Sequence, residues 1–210
     1  FRRRSELMKF VRRYLDTLDF VEVETPMMHP IPGGAAARPF ETHHHALDKT
    51  LYLRIAPELY LKRLVIGGIE RVFELGRCFR NEGLSTRHNP EFTMLEIYQA
   101  YARYEDLMDL SENLLREAAR TITGDTTLSY QGESIDLGVP FLRLDFEESL
   151  LEAFPSLSRE TLREEAALGA LCEAEGIKLP DRAGPGKMQF ELFEKGVESD
   201  LRAPTFVTRY

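Results

Sequence analysis

Apolar positions in the first part of the chain fall at helical spacing and then give way to alternation. Leu7, Met8, Phe10, Val11, Tyr14, Leu15 and Leu18 form one stripe, with Arg2 to Arg4, Arg12 and Arg13 off it, which predicts an amphipathic helix over residues 2–18. Phe20, Val21 and Val23 make a short β-prone run that ends at Thr25-Pro26. Leu51 to Ile55 is strand-like, and Pro57 opens a helix running to about Val65, where Gly67-Gly68 stops it. Val72 to Phe79 is apolar except at Glu74 and Arg77, and alternation resumes through Phe92, Met94 and Glu96. Gly83 and Pro90 would break a helix between them, so two strands joined by a loop of roughly ten residues are expected.

Tyr104 to Ile122 reads as a packing helix closed by Gly124. Thr127 to Tyr130 and Glu133 to Leu137 flank Gln131-Gly132 as a small hairpin. Phe146 to Phe154 and Leu162 to Cys172 are short helices, and Lys187 to Val197 is a further amphipathic one.

Composition narrows the class. With 210 residues, 43% hydrophobic and 30% charged, the chain fits one soluble domain, or one with an insertion. No apolar run is long enough for a bilayer. The opening FRRRSELMKF is basic but turns amphipathic at once, unlike a secretory signal, and lacks a starting Met, as expected of a piece of something longer. Cys78 and Cys172 fit no metal-ligand spacing and read as free thiols. A net charge of −8 argues against a surface built mainly to grip phosphate backbones. His43 to His45 cannot all face one ion, so surface or turn histidines are expected there.

Candidate chemistry concentrates between residues 79 and 98, FRNEGLSTRHNPEFTMLEIY. Arg80, Glu82, Arg87, His88, Asn89, Glu91 and Phe92 are groups suited to an anionic, aromatic ligand, against the alternative of a solvated charged loop. Glu96 and Tyr98 alternate onto the same strand face as Phe92, so the three can line one pocket. Glu58 lies in a helix's first turn, where it either answers the helix dipole or points into a pocket to bind an ammonium group. Gly33-Gly34-Ala35 permits close backbone approach to a ligand or is a plain flexible loop, and Gly34 can take a positive φ. No plausible Ser/His/Asp or Cys/His arrangement is present.

FRNE followed by RHNPEFTMLEIYQAYA resembles motif 2 of the class II aminoacyl-tRNA synthetases, in the form carried by lysyl-tRNA synthetases. FVEVETPMMHP resembles motif 1, which builds the dimer interface in that family, with Pro26 at the motif's proline. APELYLKRL resembles the segment whose glutamate contacts the substrate α-amino group, and APTFVTRY, up to Tyr210, resembles a later core strand. The resemblance covers nearly all of the chain. It implies an α+β fold, the class II catalytic domain with an antiparallel β-sheet flanked by helices, truncated before motif 3. Residues 1–124 would be the core with motifs 1 and 2. Residues 125–185 would be the insertion between motifs 2 and 3, and residues 186–210 the start of the C-terminal part of the core.

The implied activity is ATP-dependent activation of lysine to lysyl-adenylate and its transfer to tRNA(Lys), in a cytoplasmic homodimer with Mg2+ and no membrane. By the match, Arg80 bridges the α-phosphate and the substrate carboxylate. Phe92 stacks on adenine, Glu82 and the backbone near Asn89 read its amino edge, and His88 lies near the β and γ phosphates. Gly34, Glu58, Arg80, Glu96 and Tyr98 would form the lysine site. The Mg2+ ligands and the motif 3 arginine belong to a C-terminal part that the chain lacks, so no metal ligand is expected within it and activity is expected to be weak at best. Two other readings are an elongation-factor lysine ligase paralogue and a non-catalytic dimerisation or regulatory paralogue. Arg80, Glu82, Phe92 and Glu96 together count against the second.

Overall fold

The computed structural model describes residues 1–83, 85–86 and 88–209. Arg87 and Tyr210, named above, lie outside the described residues. The chain divides into two compact units, residues 1–107 and 108–210.

The first unit opens with α1 (Arg2–Asp16), which buries Phe10, Val11 and Leu15 from the expected stripe. Leu7 stays 40% exposed, and Leu18 falls beyond the helix. Two residues of the basic face are engaged. Arg4 Nη2 donates to Thr93 Oγ1 at 2.8 Å, and Arg12 pairs with Glu22. The strand expected from Phe20 is only β1 (Val21–Glu22), because Phe20 is buried in the turn leaving the helix.

Two short strands then appear that alternation does not announce: β2 (Met28–His29) and β3 (Glu41–His44). They flank β4 (Lys49–Leu53) in an antiparallel sheet of order β2-β4-β3. The histidine triplet is thus strand and the start of a 3-10 turn, His45–Leu47. α2 (Glu58–Ile66) starts one residue after Pro57, its N-cap, and closes at Gly67, followed by Gly68 at φ 101°, a conformation glycine adopts without Cβ strain.

β5 (Arg71–Phe79) and β6 (Glu91–Gln99) pair antiparallel along their whole lengths, with Glu74 opposite Glu96 and Cys78 opposite Phe92. β1 adds to β5 in parallel. Arg80 N–H donates to Pro90 O at 2.9 Å and closes the base of the loop. The boundary between units falls in the first turn of α3 (Tyr104–Thr123).

The second unit contains the expected hairpin, β7 (Thr127–Tyr130) with β8 (Glu133–Asp136). β9 (Leu142–Asp145) was not foreseen; it pairs in parallel with β10 (Thr205–Thr208). Asp145 then caps α4 (Phe146–Ala153), its carboxylate accepting from Glu148 N–H at 3.1 Å. The helix expected from Leu162 begins as a 3-10 turn, Thr161–Arg163, and continues as α5 (Glu165–Ala174). α6 (Pro185–Gly196) has its proline at the first turn, where a missing N–H costs nothing. Leu150, Leu162, Leu168 and Leu192 are fully buried in one cluster, each stabilising the unit by about 1.5–3 kcal/mol. The fold is α+β, with antiparallel pairing predominant and two short parallel pairs. Both cysteines are free and buried.

Candidate active site

The site is built on one face of the β5–β6 pair. Side chains directly opposite each other in an antiparallel pair share a face, so Phe92 with Cys78, Met94 with Gly76, Glu96 with Glu74 and Tyr98 with Val72 form a single surface. At its outer end a cavity of about 290 Å³ is lined by Arg80, Glu82, Gly83, His88, Asn89, Pro90 and Phe92. The Arg80 guanidinium lies 5.3 Å from the centre of the Phe92 ring, a cation–π contact. Among the described residues, Arg80 Nε is buried without a hydrogen-bond partner. His88 is oriented by the loop itself. Its Nδ1 lies 2.8 Å from Ser85 Oγ, and its N–H donates to the same oxygen at 3.1 Å. Glu82 and Asn89 are exposed at the rim.

Deeper along the face, Tyr98 OH donates to Glu96 Oε2 at 3.2 Å. Burial raises the Glu96 carboxyl above its ordinary range; the Tyr98 hydrogen bond opposes that shift, and the nearby charges of Glu58 and Glu74 add to it. The Tyr98 phenol is raised as well, first by burial and then by the Glu96 and Glu58 charges. Glu58, at the start of α2, therefore belongs to the same electrostatic neighbourhood, although its Oε1 is held by Lys62 Nζ at 2.6 Å. Gly34 meets it from the other side. At φ 93°, a Cβ on Gly34 would stand 3.1 Å from Glu58 Cβ and 3.2 Å from Ala56 Cβ. Asn81 N–H donates to Arg38 O at 2.8 Å, linking the glycine segment to the start of the loop. Arg80, Glu82, His88, Asn89 and Phe92 thus meet around the cavity, and Glu58, Glu96, Tyr98 and Gly34 cluster beyond it.

A second set of residues escaped the sequence reading. Arg54 is 1% exposed and Glu74 3%. Arg54 Nη1 donates to Glu74 Oε1, Arg54 Nε to Arg77 O at 2.8 Å, and Thr25 Oγ1 to Glu74 Oε2 at 2.6 Å. The backbone of Arg54 joins in, with its N–H donating to Met27 O and its carbonyl accepting from Phe79 N–H. The one signal for this set was Gly76 in mid-strand, where a side chain would collide with the Arg54 guanidinium.

The described residues contain no group of three or more His, Cys, Asp or Glu that could hold a metal ion. They do not fit a metal centre. No helix among them is long and apolar enough to cross a membrane.

The family model for class II tRNA synthetases (D, K and N) matches residues 1–210. The chain belongs to this family. Its relatives include lysine–tRNA ligases of Thioalkalivibrio sulfidiphilus, 57% identical over 210 residues, and of Pseudomonas aeruginosa, 54% identical over 210 residues. The Teredinibacter turnerae lysine–tRNA ligase is 56% identical over 212 residues. These alignments take in 99–100% of the chain but only 42–43% of each relative, so the chain spans less than half their length.

Proposed function

We propose that this chain is the motif 2 portion of a lysine–tRNA ligase, which uses ATP to make lysyl-adenylate and passes the lysyl group to tRNA(Lys). The observation that carries the reading is the shared face, with Arg80 and Phe92 around an open cavity and Glu96 and Tyr98 beyond them. The relatives' names support the choice of lysine.

On this reading the substrate α-carboxylate attacks the ATP α-phosphorus in line and pyrophosphate leaves. No nucleophilic side chain is required, because positioning and charge neutralisation carry the rate. Arg80 presents a planar, permanently charged fork to the α-phosphate and the attacking carboxylate. Phe92 stacks on adenine, Glu82 and the backbone at Asn89 meet its amino edge, and His88 meets the outer phosphates. Glu58 takes the α-ammonium beside the Gly34 backbone, and Glu96 with Tyr98 takes the ε-ammonium. Mg2+ belongs to the family's reaction, and its ligands would come from the part of the protein beyond the residues described.

Residues 1–124 would form the core with motifs 1 and 2, residues 125–185 the insertion and residues 186–210 the next part of the core. The protein would act in the cytoplasm and pair with a second copy through the motif 1 region, where Val21, Met27, Met28 and Ile31 are exposed. The test is lysine-dependent ATP–pyrophosphate exchange by the full-length gene product that contains this chain. Exchange is expected, and Arg80→Ala should lower kcat by about 10²–10³ through loss of roughly 3–4 kcal/mol of transition-state stabilisation. Absence of lysine-dependent exchange would refute the assignment.

A further inference from the structure

Glu74 and Glu96 stand directly opposite each other on β5 and β6. Facing carboxylates repel, and in a half-buried site one of two such groups tends to hold its proton. A carboxylate that is to bind an ammonium group has to stay ionised, so this register works against a cation site unless one of the pair is neutralised. The structure contains the neutralising group. Arg54 and Thr25 cover both oxygens of Glu74, with Nη1 of Arg54 on Oε1 and the Thr25 hydroxyl on Oε2 at 2.6 Å. Glu96 has no such cover. The one hydrogen bond found for it among the described residues comes from Tyr98.

Arg54 is also fixed in place. Its Nε is anchored on Arg77 O at 2.8 Å and its Nη1 on Thr25 Oγ1 at 3.1 Å, and it fills the space above Gly76. We propose that Arg54 is a positioning residue for the ammonium site: by sequestering Glu74 it leaves Glu96 as the one uncompensated carboxylate of the facing pair, and thereby sets the selectivity for a cationic side chain. This inference rests on the lysine-site reading of Glu96. The charged and titratable groups that face Glu96 are Tyr98 on its own strand, Glu74 and Cys78 on β5, Arg54 after β4 and Glu58 on α2. Of these, Glu74 is the one directly opposite, and Arg54 is the cation that covers it.

Removing the two partners has opposite consequences, which separates this role from general support of the fold. In Arg54→Met, Glu74 loses its counter-charge and the facing pair holds a proton between them. The acid limb of the pH profile of lysine kcat/KM should move up by about one pH unit or more, with lysine KM raised about tenfold at pH values below both limbs. In Glu74→Gln, the charge of Arg54 is no longer offset and acts on Glu96 instead, so lysine KM should again rise while the acid limb moves down. Arg54→Met/Glu74→Gln removes both charges and should return the limb to its original pH. Arg54→Lys keeps the charge without the fork and should leave the limb in place even if the protein is less stable. In every variant ATP KM should stay within about twofold, because Arg80 and Phe92 are untouched.

The assay is lysine-dependent ATP–pyrophosphate exchange of the full-length gene product from pH 5 to 9. Exchange in the wild type with limbs moving in opposite directions supports the inference. Exchange with unmoved limbs, or with lysine and ATP KM rising together, overturns it while leaving the activity standing. No lysine-dependent exchange in the wild type overturns the activity and this inference with it.

Discussion

Gly76→Ala is the substitution for which local propensity and the structure predict opposite signs. Gly76 lies inside β5 and carries none of the positive φ that would demand a glycine. Replacing an interior strand glycine by alanine ordinarily stabilises by about 0.5–1 kcal/mol. Here the new Cβ would collide with Arg54 Nη2 and lie 3.4 Å from Glu74 Oε1. The guanidinium is the far end of a long side chain, but it is 1% exposed and anchored through both Nε and Nη1, so it has nowhere to move without releasing its partners. Breaking a buried ion pair by displacing one member costs about 3–5 kcal/mol. After the propensity gain is subtracted, the net expectation is a loss of roughly 2–4 kcal/mol.

Native-state hydrogen exchange reads this locally, with α6 amides in the second unit as an internal reference. Protection of β5 amides that open with the whole unit should fall about thirty- to a thousandfold, as 1.4 kcal/mol is a factor of ten. In an Arg54→Met/Glu74→Gln background the same substitution should cost less than about 1 kcal/mol, since no anchored guanidinium stands over the site. Unchanged or increased protection in the single variant would refute the argument that Arg54 requires a glycine beneath it.

Three other substitutions test separate parts of the molecule. Phe92→Ala should raise ATP KM about fivefold to a hundredfold through loss of roughly 1–3 kcal/mol of base stacking, with lysine KM nearly constant, read by pyrophosphate exchange. Glu96→Gln should abolish lysine binding yet raise the melting temperature at neutral pH. A carboxyl whose folded-state pKa is raised binds more protons folded than unfolded, so its contribution to stability is present below its ordinary value of 4.5 and lost as pH rises through the folded value. The gap between variant and wild type in thermal melts without ligand should therefore close as pH falls towards 4.5. Leu192→Ala removes a fully buried side chain and should destabilise the second unit by about 2–5 kcal/mol, measured by hydrogen exchange of α4 and α6 amides.

What could be foreseen from the residues divides along a physical line. Helices α1, α2, α3 and α6 and the β5–β6 pair follow from periodicity and from glycine and proline punctuation, because each buries one stripe or face of its own sequence. Alternation alone put Phe92, Glu96 and Tyr98 on a common face, and β6 has that geometry. The strands that escaped, β2, β3 and β9, are two to four residues long and half or wholly polar. Their strand character comes from a partner elsewhere in the chain, as when β10 aligns beside β9 and Thr208 Oγ1 reaches Leu144 O across 64 positions. No local pattern encodes such a contact.

The same distinction explains why the cluster around Arg80 could be read from the sequence and the Arg54–Glu74 pair could not. Arg80 and its neighbours sit together in one loop, where their density is visible. Arg54 and Glu74 each interrupt an apolar run, and burial of either is tolerable only because the other arrives from a different part of the chain. A charged residue in an apolar strand is thus open to two readings, an exposed edge or a buried pair. Arg77 and Glu74, three residues apart on β5, illustrate both: Arg77 faces outward towards Glu91 at 3.5 Å, and Glu74 faces inward beneath Arg54. The mid-strand glycine was the discriminating sign. An outward charge needs no space above its neighbour, whereas the Arg54 guanidinium occupies the space that a Cβ on Gly76 would need.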